Sequence, residues 1–240
     1  MNRSIFSKIS LAATALLISI LISIPSFAVP TDIQIRSVNF NTGVLELYNF
    51  GAGTEALDGW RFCSHDEDEV RRYSGSSGLN GQSLASNESL FVHFNNDASA
   101  ANEINISTIG GAFASNIDSG PYAIQIYFAP VAFGGASPTV ADHVQWSIDG
   151  IDNSSADERS DEAEISGTWT DQSLWVATSA GQIGIELADQ PPAVEHGPTD
   201  YIAIELPPEP ANIPLPIWAL LSIAAILSAV TYRSGKAKKV

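Results

Sequence analysis

Short runs in which apolar and polar residues alternate occupy the middle of the chain. Ile33 to Phe40 alternates with a period of two, Asn41-Thr42-Gly43 has the composition of a turn, and Val44 to Asn49 continues the alternation. Alternation places every second side chain of a strand on the same face. The pattern therefore predicts a β-hairpin over residues 33–49.

The same kind of pattern recurs along the rest of the body. Leu57, Trp60 and Phe62 are expected to face a core, and Trp146 is large enough to anchor one as well. No segment of the body repeats apolar residues at helical spacing over about three turns. The sequence thus predicts an all-β fold, an antiparallel β-sandwich of short strands separated by turn residues. Further strands are expected over 57–63, 89–94, 122–128, 140–148, 174–177, 183–187 and 201–206.

The N-terminal end has the order of a secretory signal. Arg3 and Lys8 precede an uncharged run from Ile9 to Ile24, and small residues lead up to Ala28. Residues 1–28 are therefore predicted to be a signal helix that is cleaved after Ala28. A retained N-terminal helix is the alternative, although the apolar run is short for a membrane span of ~20 residues.

The C-terminal end is predicted to cross a membrane. Residues 190–212 are rich in proline and are expected to form an extended stem, interrupted by the candidate strand at 201–206. Residues 213–232 carry no charge and are just long enough for a transmembrane helix. The basic residues within 233–240 predict a cytoplasmic tail, which leaves 29–189 outside the membrane as one domain.

The body between these ends is strongly acidic. All 27 aspartates and glutamates lie between Asp32 and Glu209, a stretch with five arginines, no lysine and a net charge of −22. Such a charge repels nucleic acid, so a nucleic-acid partner is not expected. Cys63 is the only cysteine, and the stability of an exported domain must therefore come from packing rather than from an intrachain disulfide.

The first strands resemble a known domain. Residues 43–49, followed by Leu57-Asp58-Gly59-Trp60, are similar to the opening of the lamin-tail domain, whose bacterial secreted versions share this order of residues. The resemblance covers most of residues 31–178. It implies an immunoglobulin-like β-sandwich that acts as an interaction scaffold rather than as an enzyme. Later elements of the domain are matched at 84–92, 142–146 and 167–169.

The C-terminal segment resembles bacterial sorting signals of the PEP-CTERM type. Such signals combine a short proline motif, an apolar helix and a basic end, and they imply an exosortase-like membrane protease that cuts near the prolines. The body would then be anchored on the outer face of the cytoplasmic membrane, or released to the cell surface and the extracellular space. An ordinary tail anchor is the alternative. The motif residues are Pro208, Glu209, Pro210, Pro214 and Pro216.

No arrangement of residues in the sequence predicts catalysis or a bound cofactor. The four histidines are isolated and lack zinc-binding spacing, and neither a nucleophile elbow nor a phosphate-binding glycine loop occurs. Calcium is the one ion that the sequence suggests, because acidic loops supply the oxygen ligands that it needs. Its candidate ligands, which lack the register of a defined calcium loop, are Asp149, Asp152, Asp157 and Asp161.

These observations together predict a non-catalytic, exported or surface-anchored module with an interaction or structural role at the cell surface or in the extracellular matrix. An extracellular polysaccharide or protein is the expected partner. A calcium-dependent adhesion module is one alternative. The other is a carbohydrate-binding sandwich, which requires an exposed aromatic strip among Trp60, Trp146, Trp169 and Trp175.

Overall fold

A computed structural model describes residues 30–65, 71–110, 117–150, 159–188 and 193–205. These residues form thirteen short strands, one short α-helix and three 3₁₀ turns, so the fold is all-β as predicted. The strands are β1 Ile33–Asn39, β2 Val44–Asn49, β3 Glu55–Ala56, β4 Arg61–His65, β5 Arg71–Tyr73, β6 Ser83–Leu84, β7 Ser89–His93, β8 Glu103–Asn105, β9 Tyr122–Tyr127, β10 Val140–Ile148, β11 Val176–Thr178, β12 Gly184–Leu187 and β13 Tyr201–Ile204. The helix is α1 Ser160–Ser166, and the 3₁₀ turns are Pro30–Asp32, Ile106–Thr108 and Pro198–Asp200.

Two sheets share one apolar core. The six-stranded sheet has the order β13-β12-β1-β2-β7-β8, and the five-stranded sheet has the order β11-β10-β9-β4-β5. A separate pair is formed by β3 and β6. Ile35 and Leu45 from the first sheet belong to the same buried cluster as Ile124 and Trp146 from the second.

The predicted hairpin is confirmed, because β1 and β2 pair antiparallel. Its turn is built by local hydrogen bonds: Asn39 Oδ1 accepts the N–H groups of Asn41 and Thr42, at 3.0 and 2.9 Å. Gly43 then takes a φ of +62°, a left-handed conformation that glycine adopts without strain. The turn residues thus close the hairpin that the alternation predicts.

The outer faces of the two sheets differ in exposure. Along β2 and β7, buried side chains alternate with half-buried ones, so the outer face of the six-stranded sheet meets solvent. In contrast, β9 is buried over its whole length and β10 is buried up to Ser147. The outer face of the five-stranded sheet is covered by α1 and by segments that carry Trp169 and His196.

The strand expected over 57–63 begins later than predicted. Leu57 to Trp60 form a tight turn, in which Trp60 N donates to Leu57 O at 3.1 Å and Gly59 has a φ of +78°. The strand β4 starts only at Arg61. Leu57, Trp60 and Phe62 are nevertheless buried in the core, as predicted.

Two pairings depart from the predicted antiparallel arrangement. The edge strand β8 runs parallel to β7, and the edge strand β11 runs parallel to β10. Parallel neighbours need a connection that returns the chain to the same end of the sheet, which a hairpin turn cannot provide. Alternation along one strand carries no information about such a connection, so the sequence pattern could not reveal either pairing.

The candidate strand at 201–206 belongs to the sheet. It forms β13, which pairs antiparallel with β12 at the edge of the six-stranded sheet. His196 and Tyr201 are both buried. Residues 193–205 are therefore part of the two-sheet body rather than of an extended stem.

The predicted signal helix, transmembrane helix and basic tail all fall on residues that the structure does not describe. They stay predictions, as do the processing positions Ala28, Pro208, Glu209, Pro210, Pro214 and Pro216. In the described ranges, no helix combines the length and the apolar composition that a membrane crossing requires.

Candidate functional site

The exposed face of the six-stranded sheet contains a groove of about 640 Å³ beside the β1–β2 turn, which we call the open-face groove. Two rows of neighbouring residues cross β1, β2 and β7 beneath it, and the first row also contributes a lining residue from β8. The first row is Ser37, Glu46, Phe91 and Glu103, and the second is Asn39, Val44 and His93. Loop residues Asn41, Thr42, Asn95 and Asp97 complete its lining.

Glu46 occupies the centre of the groove and is already bonded within the sheet. Its Oε1 accepts hydrogen bonds from Ser89 Oγ at 2.6 Å and from Arg36 Nη1 at 3.3 Å. Its Oε2 accepts one from Ser37 Oγ at 3.0 Å. Arg36 also lies over the ring of Tyr48, 4.9 Å from its centre. The charge of Glu46 is thus balanced by Arg36 and by two hydroxyl donors.

Glu103 forms an acidic wall on the β8 side of the groove. Its Oε2 accepts the backbone N–H groups of Ser99 and Ala100 at 2.8 and 2.9 Å, and these bonds lower the pKa of Glu103. His93 Nε2 lies 3.8 Å from the same oxygen. The wall is therefore ionised at neutral pH and would repel an anionic ligand.

Uncharged polar groups line the opposite end, at the β1–β2 turn. Asn39 uses its Oδ1 to hold the turn, and its Nδ2 has no hydrogen-bond partner in the described part of the chain. The side chains of Asn41 and Thr42 also have none there. These groups remain available to a ligand in the groove.

A second polar cluster lies buried on the covered face of the five-stranded sheet, and we call it the buried chain. Glu162 of α1 pairs with Arg159, and its Oε2 accepts the Tyr127 hydroxyl hydrogen at 2.7 Å. Burial raises the pKa of Tyr127, so the hydroxyl keeps its hydrogen. In order from the helix to β10, the members of the buried chain are Arg159, Glu162, Tyr127, Gln125, His143 and Gln145.

The far end of the buried chain is fixed by two backbone carbonyls. Gln145 Nε2 donates to the carbonyl oxygens of Gln172 and Leu174 at 2.9 and 2.8 Å. Gln145 Oε1 therefore faces His143 Nε2, at 3.1 Å. On the other side of the ring, His143 Nδ1 lies 2.8 Å from Gln125 Oε1.

The hydrogens of the buried chain are coupled from one end to the other. When Tyr127 donates to Glu162, Gln125 must turn its nitrogen to Tyr127 and its oxygen to the ring, and both ring nitrogens of His143 then need a hydrogen. Burial opposes this state, because it lowers the pKa of His143 to about 3. A neutral ring instead reverses the Gln125 amide, so that Tyr127 donates to Gln125 rather than to Glu162. The direction of the hydrogen bonds near Glu162 therefore depends on the protonation of His143.

Asp142 connects the two sheets. Its Oδ2 accepts the Ile35 N–H at 2.5 Å, and its Oδ1 lies 3.1 Å from His196 Nε2. Because β1 pairs with β12 only from Ser37 onward, the earlier part of β1 lacks a neighbouring strand on that side. Asp142 and the Tyr201 hydroxyl, which donates to Ile35 O at 3.3 Å, supply the missing partners.

The neighbouring carboxylate favours the protonated form of His196. Its Nδ1 faces the carbonyl oxygen of Ala193 at 3.4 Å, so acceptors lie at both ring nitrogens. Burial acts to lower the pKa of His196, but the charge of Asp142 and these hydrogen bonds outweigh burial and raise it overall. The pair ties residues 193–205 to β10 and β1.

The fold brings together two histidines that are far apart in the sequence. The Trp169 ring lies against both His143 and His196, with ring centres 5.3 and 5.8 Å apart. These two histidines, isolated in the sequence, therefore both contact one tryptophan in the fold. No spacing motif links them, because only the cover over β10 places them side by side. Both rings are buried, which gives them a structural role.

The tryptophans do not form the exposed strip that the carbohydrate hypothesis required. Trp60, Trp146, Trp169 and Trp175 are all buried, with at most 5% of the residue exposed. Trp146 stacks on Tyr122 at a centroid distance of 5.1 Å. The interpretation of Trp60 and Trp146 as core residues is confirmed.

The candidate calcium ligands are only partly described. Asp152 and Asp157 lie outside the described residues. Asp149 occupies the turn after β10, with a φ of +62°, and Asp161 lies in the first turn of α1. Across the described ranges, no three His, Cys, Asp or Glu side chains are grouped so that they could hold a metal ion. Calcium binding stays a prediction.

No protein-family profile and no curated protein sequence matches this chain. Among solved structures, it is similar to a DUF4876 family protein from Bacteroides thetaiotaomicron VPI-5482, with 14% sequence identity and a TM-score of 0.38. The likeness covers 73% of this chain and 68% of that one. A similarity at this level carries no argument about function, which must rest on the groove and on the buried clusters.

Proposed function

We propose that the two-sheet body is a non-catalytic interaction module of the cell surface or extracellular matrix, and that the open-face groove is its binding surface. The observation that carries this proposal is the difference in cover between the sheets. In the five-stranded sheet, β9 and most of β10 are covered on both faces, while the six-stranded sheet keeps a solvent-exposed face with a groove of about 640 Å³. A concave site with a small apolar floor and a few polar groups is the usual form of a ligand site.

The buried acid–base groups of the described body support a structural role rather than catalysis. Asp142 and His196 are paired with each other and buried, and His143 is enclosed by two glutamines. A catalytic acid, base or nucleophile must lie within reach of a substrate. In the groove, Glu46 is bonded to three neighbouring side chains.

We also propose that the body is an immunoglobulin-like sandwich of the lamin-tail type. Support comes from two of the positions that carry the resemblance, Asn49 and Trp60, which have structural roles. Asn49 is fully buried, donates to the carbonyls of Gly53 and Leu84 at 2.8 Å each, and accepts from Gly51 N at 2.8 Å. Trp60 fills the core after the next turn.

The module is proposed to be exported and held at the outer face of the cytoplasmic membrane, or released after processing. The signal-like residues 1–28 and the proline motif before residues 213–232 support this location. Mass spectrometry of the mature protein from its own cells tests it. We expect an N-terminus at Val29 and a C-terminus between Pro208 and Pro216; an intact Val240 would contradict processing.

A sedimentation assay tests the binding surface. The full chain, purified in mild detergent, is mixed with insoluble extracellular material from the producing cells, and the fraction that sediments is measured. We expect the double variant Val44→Ala/Phe91→Ala to lose most of its retention. The matched control, Ile165→Ala/Leu174→Ala, changes two exposed apolar residues outside the groove and should be retained like the wild type.

Equal retention of the wild type and the groove variant would contradict a binding role for the groove. Hydrolysis of the extracellular material by the purified chain, abolished by one His or Asp substitution, would contradict the non-catalytic assignment. Circular dichroism of each variant before the assay shows whether it is folded.

A further inference from the structure

We infer that the open-face groove binds a neutral saccharide unit of an extracellular polysaccharide, and this inference rests on the proposed binding function. The buried tryptophans do not contribute. The ligand class follows from three properties of the groove: its floor, its uncommitted polar groups and its charge.

The floor of the groove is small and apolar. Phe91 and Val44 lie on adjacent strands in neighbouring rows and both line the groove. Phe91 is half-buried, so part of its ring remains exposed on the open face. A sugar ring has an apolar face of C–H groups, which packs on an aromatic ring through the negative charge of the ring face. Phe91 is therefore the platform, and Val44 extends it.

The polar groups beside this floor match hydroxyl groups. A sugar hydroxyl both donates and accepts a hydrogen bond, so it needs partners of both kinds. Asn39 Nδ2 offers donors, whereas the Asn41 amide and the Thr42 hydroxyl offer both donors and acceptors. All three residues lie at one end of the groove, in or next to the β1–β2 turn.

The charge of the groove selects a neutral ligand. Its lining contains no lysine or arginine. Arg36 balances the charge of Glu46, but Asp97 and Glu103 leave the groove acidic. Sulfate, phosphate or uronic acid groups would therefore be repelled. The carboxylates are also committed to donors of the protein: Glu46 to Arg36, and Glu103 to two backbone N–H groups. A cation would have to displace these bonds, which disfavours a cationic peptide.

The size of the groove is consistent with such a ligand. Ligand sites in proteins generally enclose about 300–1,000 Å³, and the groove measures about 640 Å³. It is open to solvent along the sheet, so a chain of sugar units can continue beyond the bound one.

A binding assay on the full chain in mild detergent tests the inference. The probes are neutral hexasaccharides of glucose, galactose, mannose and N-acetylglucosamine, together with an oligogalacturonate and an oligolysine of similar length. We expect at least one neutral hexasaccharide to bind, and neither charged probe to bind more tightly. Phe91→Ala should weaken this binding by about tenfold, because the platform is lost.

A second variant keeps the fold while changing one groove atom. Asn39→Asp retains the oxygen that holds the β1–β2 turn but replaces the free Nδ2 donor by an oxygen. We expect it to weaken saccharide binding severalfold with an unchanged melting temperature. Ile165→Ala is the control and should bind like the wild type.

Three results would overturn the inference: no neutral hexasaccharide binds at millimolar concentration, only oligolysine binds, or Phe91→Ala binds as tightly as the wild type. These failures differ from a failure of the proposed function. If Phe91 is needed for retention on extracellular material but no neutral saccharide binds, the groove keeps its role and the ligand class is wrong. If neither property depends on Phe91, both proposals fail.

Discussion

The two sheets use similar polar side chains for opposite purposes. On the six-stranded sheet, Asn39 and Thr42 present amide and hydroxyl groups to solvent at the edge of a groove. On the five-stranded sheet, Gln125 and Gln145 hold His143 inside a fully covered layer. A polar residue on a strand therefore indicates a solvent-exposed surface only where no other segment packs over that strand. Where a segment does pack over it, the same residue type forms buried hydrogen bonds.

This difference sets the expected cost of substitution. A buried polar group that loses its partner costs about 1–3 kcal/mol, and more when it is charged. A substitution on an exposed face usually changes stability by no more than about 0.5 kcal/mol. The covered face should thus control stability, and the open face should control binding with little effect on stability.

The largest effect is expected at Asp142. Asp142→Ala leaves the buried His196 ring and the Ile35 N–H without their partner, and we expect a loss of about 3–5 kcal/mol in the free energy of unfolding. Urea unfolding followed by tryptophan fluorescence measures it. Asp97→Ala, at the rim of the groove, should cost no more than about 0.5 kcal/mol. Asp142→Asn retains an acceptor, so its loss of stability should lie between these two values. Equal losses in Asp142→Ala and Asp97→Ala would contradict the predicted difference between the covered face and the open face.

A matched pair of tyrosines gives the next largest effect. Tyr127→Phe interrupts the buried chain and should cost about 1–3 kcal/mol. Tyr48→Phe removes an exposed hydroxyl, 3.4 Å from Asn87 Oδ1, and should cost less than about 0.5 kcal/mol. Thermal unfolding of both variants measures the difference. Similar melting temperatures would show that the covered hydroxyl contributes no more than the exposed one.

A substitution of Glu162 tests whether the hydrogen bonds of the buried chain are coupled. In Glu162→Gln, the new amide can accept from Arg159 through its oxygen and donate to Tyr127 through its nitrogen. Tyr127 can then donate to Gln125, which leaves His143 neutral with all its bonds made. We therefore expect Glu162→Gln to destabilise the protein less than Tyr127→Phe does. The reverse order in urea unfolding would contradict the coupling of hydrogens along the chain.

The pH dependence of stability should report the His196 pair. The pKa of His196 is raised in the folded state above its ordinary value of about 6.5. Its contribution is therefore fully present below about pH 6.5 and is lost as the pH rises through the folded pKa. Melting temperatures measured between about pH 7.5 and 9 should fall for the wild type, whereas nearer pH 6 the lowered pKa of His143 acts in the opposite direction. The fall should be smaller in His196→Gln, and identical slopes would exclude this pair as the cause.

The smallest effects on stability are expected on the open face. Val44→Thr and Asn39→Asp keep the shape of the residues and should change the free energy of unfolding by no more than about 0.5 kcal/mol. Both should nevertheless reduce retention on extracellular material. A loss of stability equal to that of Tyr127→Phe would show that the open face is not separate from the folding core.

The sequence was informative where one face of a strand meets water. Buried and half-buried side chains alternate along β2 and β7, but not throughout β1, where Gln34 is buried and a register shift lies between Ile35 and Ser37. Alternation of residue types nevertheless revealed all three strands. It also located β9 and β10, but it could not show that Gln125, His143 and Gln145 are buried. Those side chains are covered by α1 and by residues near Trp169, which are distant in the sequence.

The candidate site could not be predicted from the sequence for a related reason. The open-face groove depends on the register of β2 against β7 and on the parallel pair of β7 and β8. Neither pairing has a local signal. The carbohydrate hypothesis was based on the large tryptophans, whereas the aromatic ring that lines the groove is that of Phe91.

Hydrogen–deuterium exchange of the full chain, with and without insoluble extracellular material, tests the central claim most directly. The account predicts slower exchange in β2, in β7 and at the β1–β2 turn when the material is present, with no change in α1 or β9. Protection confined to α1 and the segment around Trp169 would contradict it, because the covered face would then be the binding surface.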